Sequence, residues 1–151
     1  MAKKKNPRLG KLPPRYRFAL NPIPEVRWSK CPRCEKLTFN RKFPLLIFVE
    51  GYELPTVLGK TCRYCAGCEF IICHQAELEA ELVHLFMASA PEVVGNEYLV
   101  VGVMERQAAE RGRTEAMDWN YIREHTADIK NYFTLSDPRR VWLPADRERS
   151  T

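Results

Sequence analysis

All six cysteines of this chain fall within two short runs, KCPRCEKLTF at positions 30–39 and KTCRYCAGCEFIICH at positions 60–74. No other feature restricts the fold as much, because sulfurs supplied in pairs from two turns must converge if they are to share a metal ion. A Cys-x-x-Cys turn sets two thiolates side by side and lets backbone N–H groups point at them. Cys31 and Cys34 meet that condition with Pro32 between them. The second pair is either Cys62 with Cys65 or Cys65 with Cys68. Laying Lys30-Cys31-Pro32-Arg33-Cys34-Glu35 over Tyr64-Cys65-Ala66-Gly67-Cys68-Glu69 favours the second choice. Cys62 is then a spare sulfur close to the metal and the alternative ligand.

With β-prone residues following each cysteine pair, residues 28–74 resemble a zinc ribbon, in which two cysteine turns at the tips of β-hairpins grip one ion. The resemblance implies Zn2+ held by Cys31, Cys34, Cys65 and Cys68. It implies a module and not a task, since ribbons serve in nucleic-acid processing, transcription, translation and protein docking. The chain departs from the common pattern at Glu35 and Glu69, where glycine is frequent, and in a gap between pairs longer than the roughly 15–20 residues usual for such spacings. The central stretch LLIFVEGYELPTVL accounts for the extra length as a long hairpin. The run Cys62, Cys65, Cys68 begins like an iron–sulfur ligand set but lacks its continuation, and a thiol–disulfide reading of CPRC leaves four cysteines unexplained.

The charge is unevenly placed. The chain is +5 overall, yet residues 1–30 carry nine lysines and arginines against Glu25 alone. Five prolines in the same stretch disfavour helix and predict an extended arm. Lys3, Lys4, Lys5, Arg8, Lys11, Arg15 and Arg17 of this arm, with Arg33 of the ribbon, are the candidate nucleic-acid-binding residues, because clustered cations displace counterions from phosphates. Tyr16, Phe18 and Trp28 either stack on bases or pack back on the body. The ribbon adds Arg41, Lys42, Lys60 and Arg63 to the same surface.

The remainder changes period. QAELEAELVHLFMASA, residues 75–90, reads as a helix with acids in its first turns and Pro91 at its end. EYLVVGVME reads as a buried strand. Trp119, Ile122, Thr126, Ile129 and Phe133 recur at three and four residues, which predicts one amphipathic helix capped by Asp118. Residues 76–128 hold eleven acidic against four basic side chains, a surface suited to a protein partner.

The expected fold class is therefore α+β: a basic extended arm over 1–27, a zinc-ribbon β module over 28–74, then helix, strand and helix over 75–151 packed against the ribbon. No apolar run approaches the roughly 20 residues of a membrane span, and the basic start lacks the apolar segment of a secretory signal. A cytoplasmic location, where clustered thiols favour a metal over disulfides, is the expectation. No Ser-His-Asp set, H-x-E or H-E-x-x-H arrangement, phosphate loop or acid–base carboxylate pair is present, so no catalytic residue is assigned and the chain reads as a non-enzyme. The expected partner is a nucleic acid or nucleoprotein complex. The alternative is an adaptor that docks a protein through its acidic body, with zinc purely structural.

Overall fold

A computed structural model describes residues 9–112 and 117–135. Six strands close into one mixed barrel in the order β1-β4-β3-β2-β5-β6. They are β1 (Leu12–Asn21), β2 (Phe39–Val49), β3 (Thr56–Cys65), β4 (Phe70–His74), β5 (Tyr98–Met104) and β6 (Thr126–Thr134). Helix α1 (Gln75–Ser89) follows β4, and two short helices, α2 (Arg106–Arg111) and α3 (Trp119–Glu124), lie between β5 and β6.

This barrel overturns the α+β expectation of an arm, a ribbon and a helix–strand–helix unit. Leu12–Asn21 is not part of a free arm: it pairs in parallel with β4 on one side and β6 on the other, so it closes the barrel. The strands that follow the cysteine turns belong to the same barrel and form no separate ribbon. The stripe from Trp119 to Phe133 is helical only as far as Glu124, with His125 ending the helix and Thr126 starting a strand. Its later half is rich in Thr, Ile, Tyr and Phe, which fit a pleated surface between two neighbours, and β1 and β5 supply those neighbours.

The alternation of side chains along each strand sorts the core into an interior and an outer layer. On β2, Phe43, Leu45, Ile47 and Val49 enter the main core, while Leu46 packs outside with Met104, Ala108 and Ile122 of β5, α2 and α3. Helix α1 contributes Leu78, Leu82 and Phe86, spaced one helical turn apart, to the same main core. Its first turn is fixed by His74, whose Nδ1 accepts from the Glu77 N–H at 3.2 Å. No helix among the described residues is long and apolar enough to cross a membrane.

Strands β1, β2, β4 and β6 run one way and β3 and β5 the other. The barrel therefore has two unlike ends. One holds the β2–β3 turn, α1 and the start of β5. The other holds the β3–β4 turn, both short helices and the entry of the chain into β1. At that entry the Leu9 and Gly10 N–H groups donate to the two carboxylate oxygens of Asp128 at 2.9 and 2.7 Å. Gly10 is required there, because a Cβ would lie 2.0 Å from the Thr126 carbonyl oxygen.

Candidate metal centre

Two turns converge on the outside of the β1–β4 seam. The first, in the long connection from β1 to β2, is closed by a Lys30–Leu37 bridge, with the Cys31 N–H donating to the Lys36 carbonyl and the Glu35 N–H to the Cys31 carbonyl, each at 2.8 Å. The second is the β3–β4 turn itself. The sulfurs of Cys31, Cys34, Cys65 and Cys68 all lie within 4.8 Å of one another. Cys31 and Cys68 are 3.9 Å apart, and Cys34 and Cys65 are 3.6 Å apart. Four sulfurs about 2.3 Å from one tetrahedral ion form edges of about 3.8 Å, so the cluster has the size of a single-ion site. A multi-iron cluster, with each thiolate on a different iron, would hold the sulfurs further apart.

Strand alternation decides the role of Cys62. Tyr64 and Cys62 point into the barrel, whereas Cys65, three residues on, faces outward into an apolar layer with Ala19, Cys31, Phe70, Ile72 and Leu135. Residues three apart on a strand lie on opposite faces, so Cys62 and Cys65 cannot share an ion. Cys73 also points inward. The β3–β4 register sets Arg63 opposite Ile72, which brings Cys62 level with Cys73, and contact with Cys73 together with burial pushes the Cys62 thiol well up.

Glu35 and Glu69 both adopt left-handed backbone, with φ of 65° and 52°. These are the two positions where zinc ribbons frequently carry glycine, and the shared conformation explains why: each turn must reverse immediately after its second cysteine. The local fields differ. The Lys36 N–H directed at Cys34 pulls its thiol down to about 7, whereas desolvation raises Cys31 and carries Cys68 up to about 12. Without an ion, four crowded thiols resist losing all their protons; a divalent cation at the centre removes that conflict.

The cations assigned from the sequence divide. Arg15 forks onto the Glu69 carboxylate at 2.7 and 2.9 Å, and Arg17 donates to the Cys68 carbonyl at 2.6 Å, so both clamp the second turn to β1. Arg33 lies over the Phe133 ring at 5.4 Å and ties the first turn to β6. The Lys11 N–H donates to the Arg123 carbonyl at 2.8 Å. Lys3, Lys4, Lys5 and Arg8 fall outside the described residues. Lys60, expected on the surface, is 5% exposed and bonded to Glu77 at 2.9 Å, so it leaves the phosphate-binding set. Sequence reasoning did not single out the clamping roles of Arg15 and Arg17; nothing local signals them, since Glu69 is 54 residues from Arg15.

Comparison with family models, with curated proteins and with solved structures finds no match to this chain.

Proposed function

We propose that the protein is a non-enzymatic zinc-stapled β-barrel that associates with nucleic acid through its metal end. Four thiolates, with no fifth protein donor among the described residues, favour zinc in a closed structural site that has no open position for substrate. The observation that carries the nucleic-acid reading is the concentration of exposed cations at one end of the barrel. Lys30, Lys36, Arg41, Lys42 and Arg106 are exposed at the metal end, alongside Glu35, Glu110, Asp118 and Glu124, whereas Glu50, Glu53, Glu81, Glu92, Glu97 and the Lys60-bonded Glu77 are exposed at the other. Carboxylates at the metal end are in part already engaged: Glu69 by Arg15, Glu105 by His125, Asp128 by the backbone of Leu9 and Gly10. Leu9, where the described residues begin, lies at this same end, and residues 1–8 before it carry four cations. A molecule of this polarity turns one face to a polyanion and holds the other away from it.

Fluorescence anisotropy of the full zinc-loaded chain against labelled single-stranded RNA, single-stranded DNA and duplex DNA tests the reading. Binding near micromolar concentration at about 50 mM salt, falling steeply by about 200 mM, is the expected result. Reversing Glu81 and Glu92 to lysine leaves it unweakened; reversing Lys36 and Arg41 to glutamate weakens it. Absence of salt-dependent binding to all three probes overturns the proposal. The adaptor reading keeps one specific support, the exposed Val83, Leu85 and Met87 on the acid-bearing helix α1. Partner capture that survives nuclease treatment would favour it.

A further inference from the structure

The barrel does not seal at its metal end. Pairing of β1 with β6 is irregular between Leu12 and Arg15, across Pro13 and Pro14, and pairing of β1 with β4 begins only at Arg17. On the far side of the opening, β2 pairs with β5 from Leu45 onward, and Pro44 precedes that point with no N–H to extend the ladder. Three prolines thus sit where the ladders at this end are irregular or stop. Between them lies a cavity of about 570 Å3 whose lining includes Pro14, Tyr16, Arg41, Lys42, Phe43 and Arg106. That is within the range of roughly 300–1,000 Å3 typical of small-molecule sites.

The cleft carries an excess of cations. Of its two carboxylates, Glu69 is paired with Arg15 at 2.7 Å and Glu105 is hydrogen-bonded to the ring of His125 at 2.6 Å, against Arg41, Lys42 and Arg106. Among the described residues no carboxylate pairs with Arg41, Lys42 or Arg106, and all three are exposed. Lys42 leaves β2 on the face opposite Arg41 and Phe43, lies over Gly59, and with Arg106 and Glu110 lines a second hollow of about 360 Å3, so it reaches the cleft from its rim. Arg41 lies over the rings of Phe43 and Tyr64 at 4.9 and 5.2 Å, which fixes its guanidinium at the mouth.

Tyr16 supplies an independent sign. Its φ is +72°, a conformation that bulky residues avoid, and it sits just beyond the register irregularity of β1. Its ring points inward, in alternation with Phe18, against Phe43 and Tyr64 at centroid distances of 5.6 and 6.1 Å. Strained backbone concentrates at binding sites, where the surrounding structure maintains it. Here it puts an aromatic wall beside three cations that pair with no carboxylate among the described residues.

We propose that this cleft is a phosphate-binding subsite in which Arg41, Lys42 and Arg106 hold the phosphate and the Tyr16–Phe43 wall faces the attached nucleoside. The inference rests on the nucleic-acid reading for its most natural source, a backbone phosphate of a single strand, but the same chemistry would accept a free nucleotide. The probes are a labelled ten-nucleotide oligouridylate and adenosine 5′-monophosphate, each titrated into the full zinc-loaded chain. The variants are Lys42→Gln/Arg106→Gln and the same pair with Arg41→Gln; unchanged zinc content and unfolding midpoint show that they fold. The triple variant is expected to lose about tenfold or more in oligonucleotide affinity and to lower the salt slope by about two to three units. The double variant, which leaves the packed Arg41 in place, lowers it by about two. If the oligonucleotide binds the wild type and both variants equally, the cleft proposal is overturned while nucleic-acid association stands. If only the mononucleotide binds, and the variants abolish it, the cleft stands and the nucleic-acid reading falls. Binding of neither probe by the wild type removes both.

Discussion

Glu35 is the most direct probe of how the metal turns are built. An L-residue in left-handed backbone is strained by about 1–2 kcal/mol, and glycine relieves that strain while bringing about 0.5–1 kcal/mol of extra chain entropy to the unfolded state. The Glu35 side chain is exposed and has no hydrogen bond or ion pair among the described residues, so little else changes. Glu35→Gly is therefore expected to stabilise the protein by about 0.5–1 kcal/mol, or about 1–4 °C in Tm for a chain of this size. Glu69 has nearly the same φ but also holds Arg15, with the two side chains 41% and 52% exposed. A pair that open contributes about 0–1 kcal/mol, so Glu69→Gly should come out near neutral. Glu35→Val, with a branched Cβ in the same backbone, should destabilise. Thermal and urea unfolding are to be compared at one fixed excess of zinc, since metal binding to the folded state moves the midpoint. If Glu35→Gly unfolds more easily than the wild type, or Glu35→Val is as stable as Glu35→Gly, the account of these turns is wrong.

Three further outcomes follow from the geometry. Serine at Cys31, Cys34, Cys65 or Cys68 is expected to remove bound metal, whereas serine at Cys62 or Cys73 retains it; elemental analysis of the purified variants decides, and metal loss on Cys62→Ser would return that residue to the ligand set. The bond from Lys60 holds the Glu77 carboxyl below its ordinary value, so its stabilisation is present above about pH 4.5 and lost as pH falls through the depressed value. The difference in unfolding free energy between wild type and Glu77→Gln, about 1 kcal/mol at neutral pH given Glu77's exposure, should therefore shrink on acidification, and a pH-independent difference refutes the pairing. Chelation should raise amide hydrogen exchange in residues 17–20 and 70–73 before it does so in the β2–β3 ladder, and uniform loss of protection across all six strands would show that the metal does not act through the β1–β4 seam.

What was legible in the sequence was what is local. Cys-x-x-Cys spacing and the parallel between residues 30–35 and 64–69 named the four sulfurs that meet, because each turn is completed within six residues. The strand period could also have settled Cys62: once residues 56–65 are a strand, a cysteine three positions before Cys65 must face the other way. The barrel was not legible. Its closure depends on β1 lying parallel between β4 and β6, pairings that join Arg17 to Phe70 and to Asn131 and leave no mark on neighbouring residues. Prolines and cations at 7–24 made β1 resemble a solvated tail, although Tyr16 and Phe18, two apart, already carried the alternation of a half-buried strand. The 119–133 stripe misled for the opposite reason, since spacings of three and four survive when a six-residue helix runs directly into a strand.

Strand β1 joins the metal centre to the cleft. Its Arg17 amide donates to the Glu69 carbonyl at 2.8 Å and its guanidinium to the Cys68 carbonyl, so the second metal turn is fastened to the strand that closes the barrel. One step earlier the same strand carries Tyr16 in its strained conformation and Arg15, which occupies the Glu69 carboxylate. Were Glu69 free, its charge would lie in the cleft and oppose an anion; engaged by Arg15, it adds no free negative charge beside Arg41, Lys42 and Arg106. An ion held by the four thiolates would not need to touch a ligand to matter. By fixing Cys65 and Cys68 it would fix Glu69, by fixing Glu69 it would position Arg15, and removing it should loosen the contacts that keep Glu69 engaged at the mouth of the barrel.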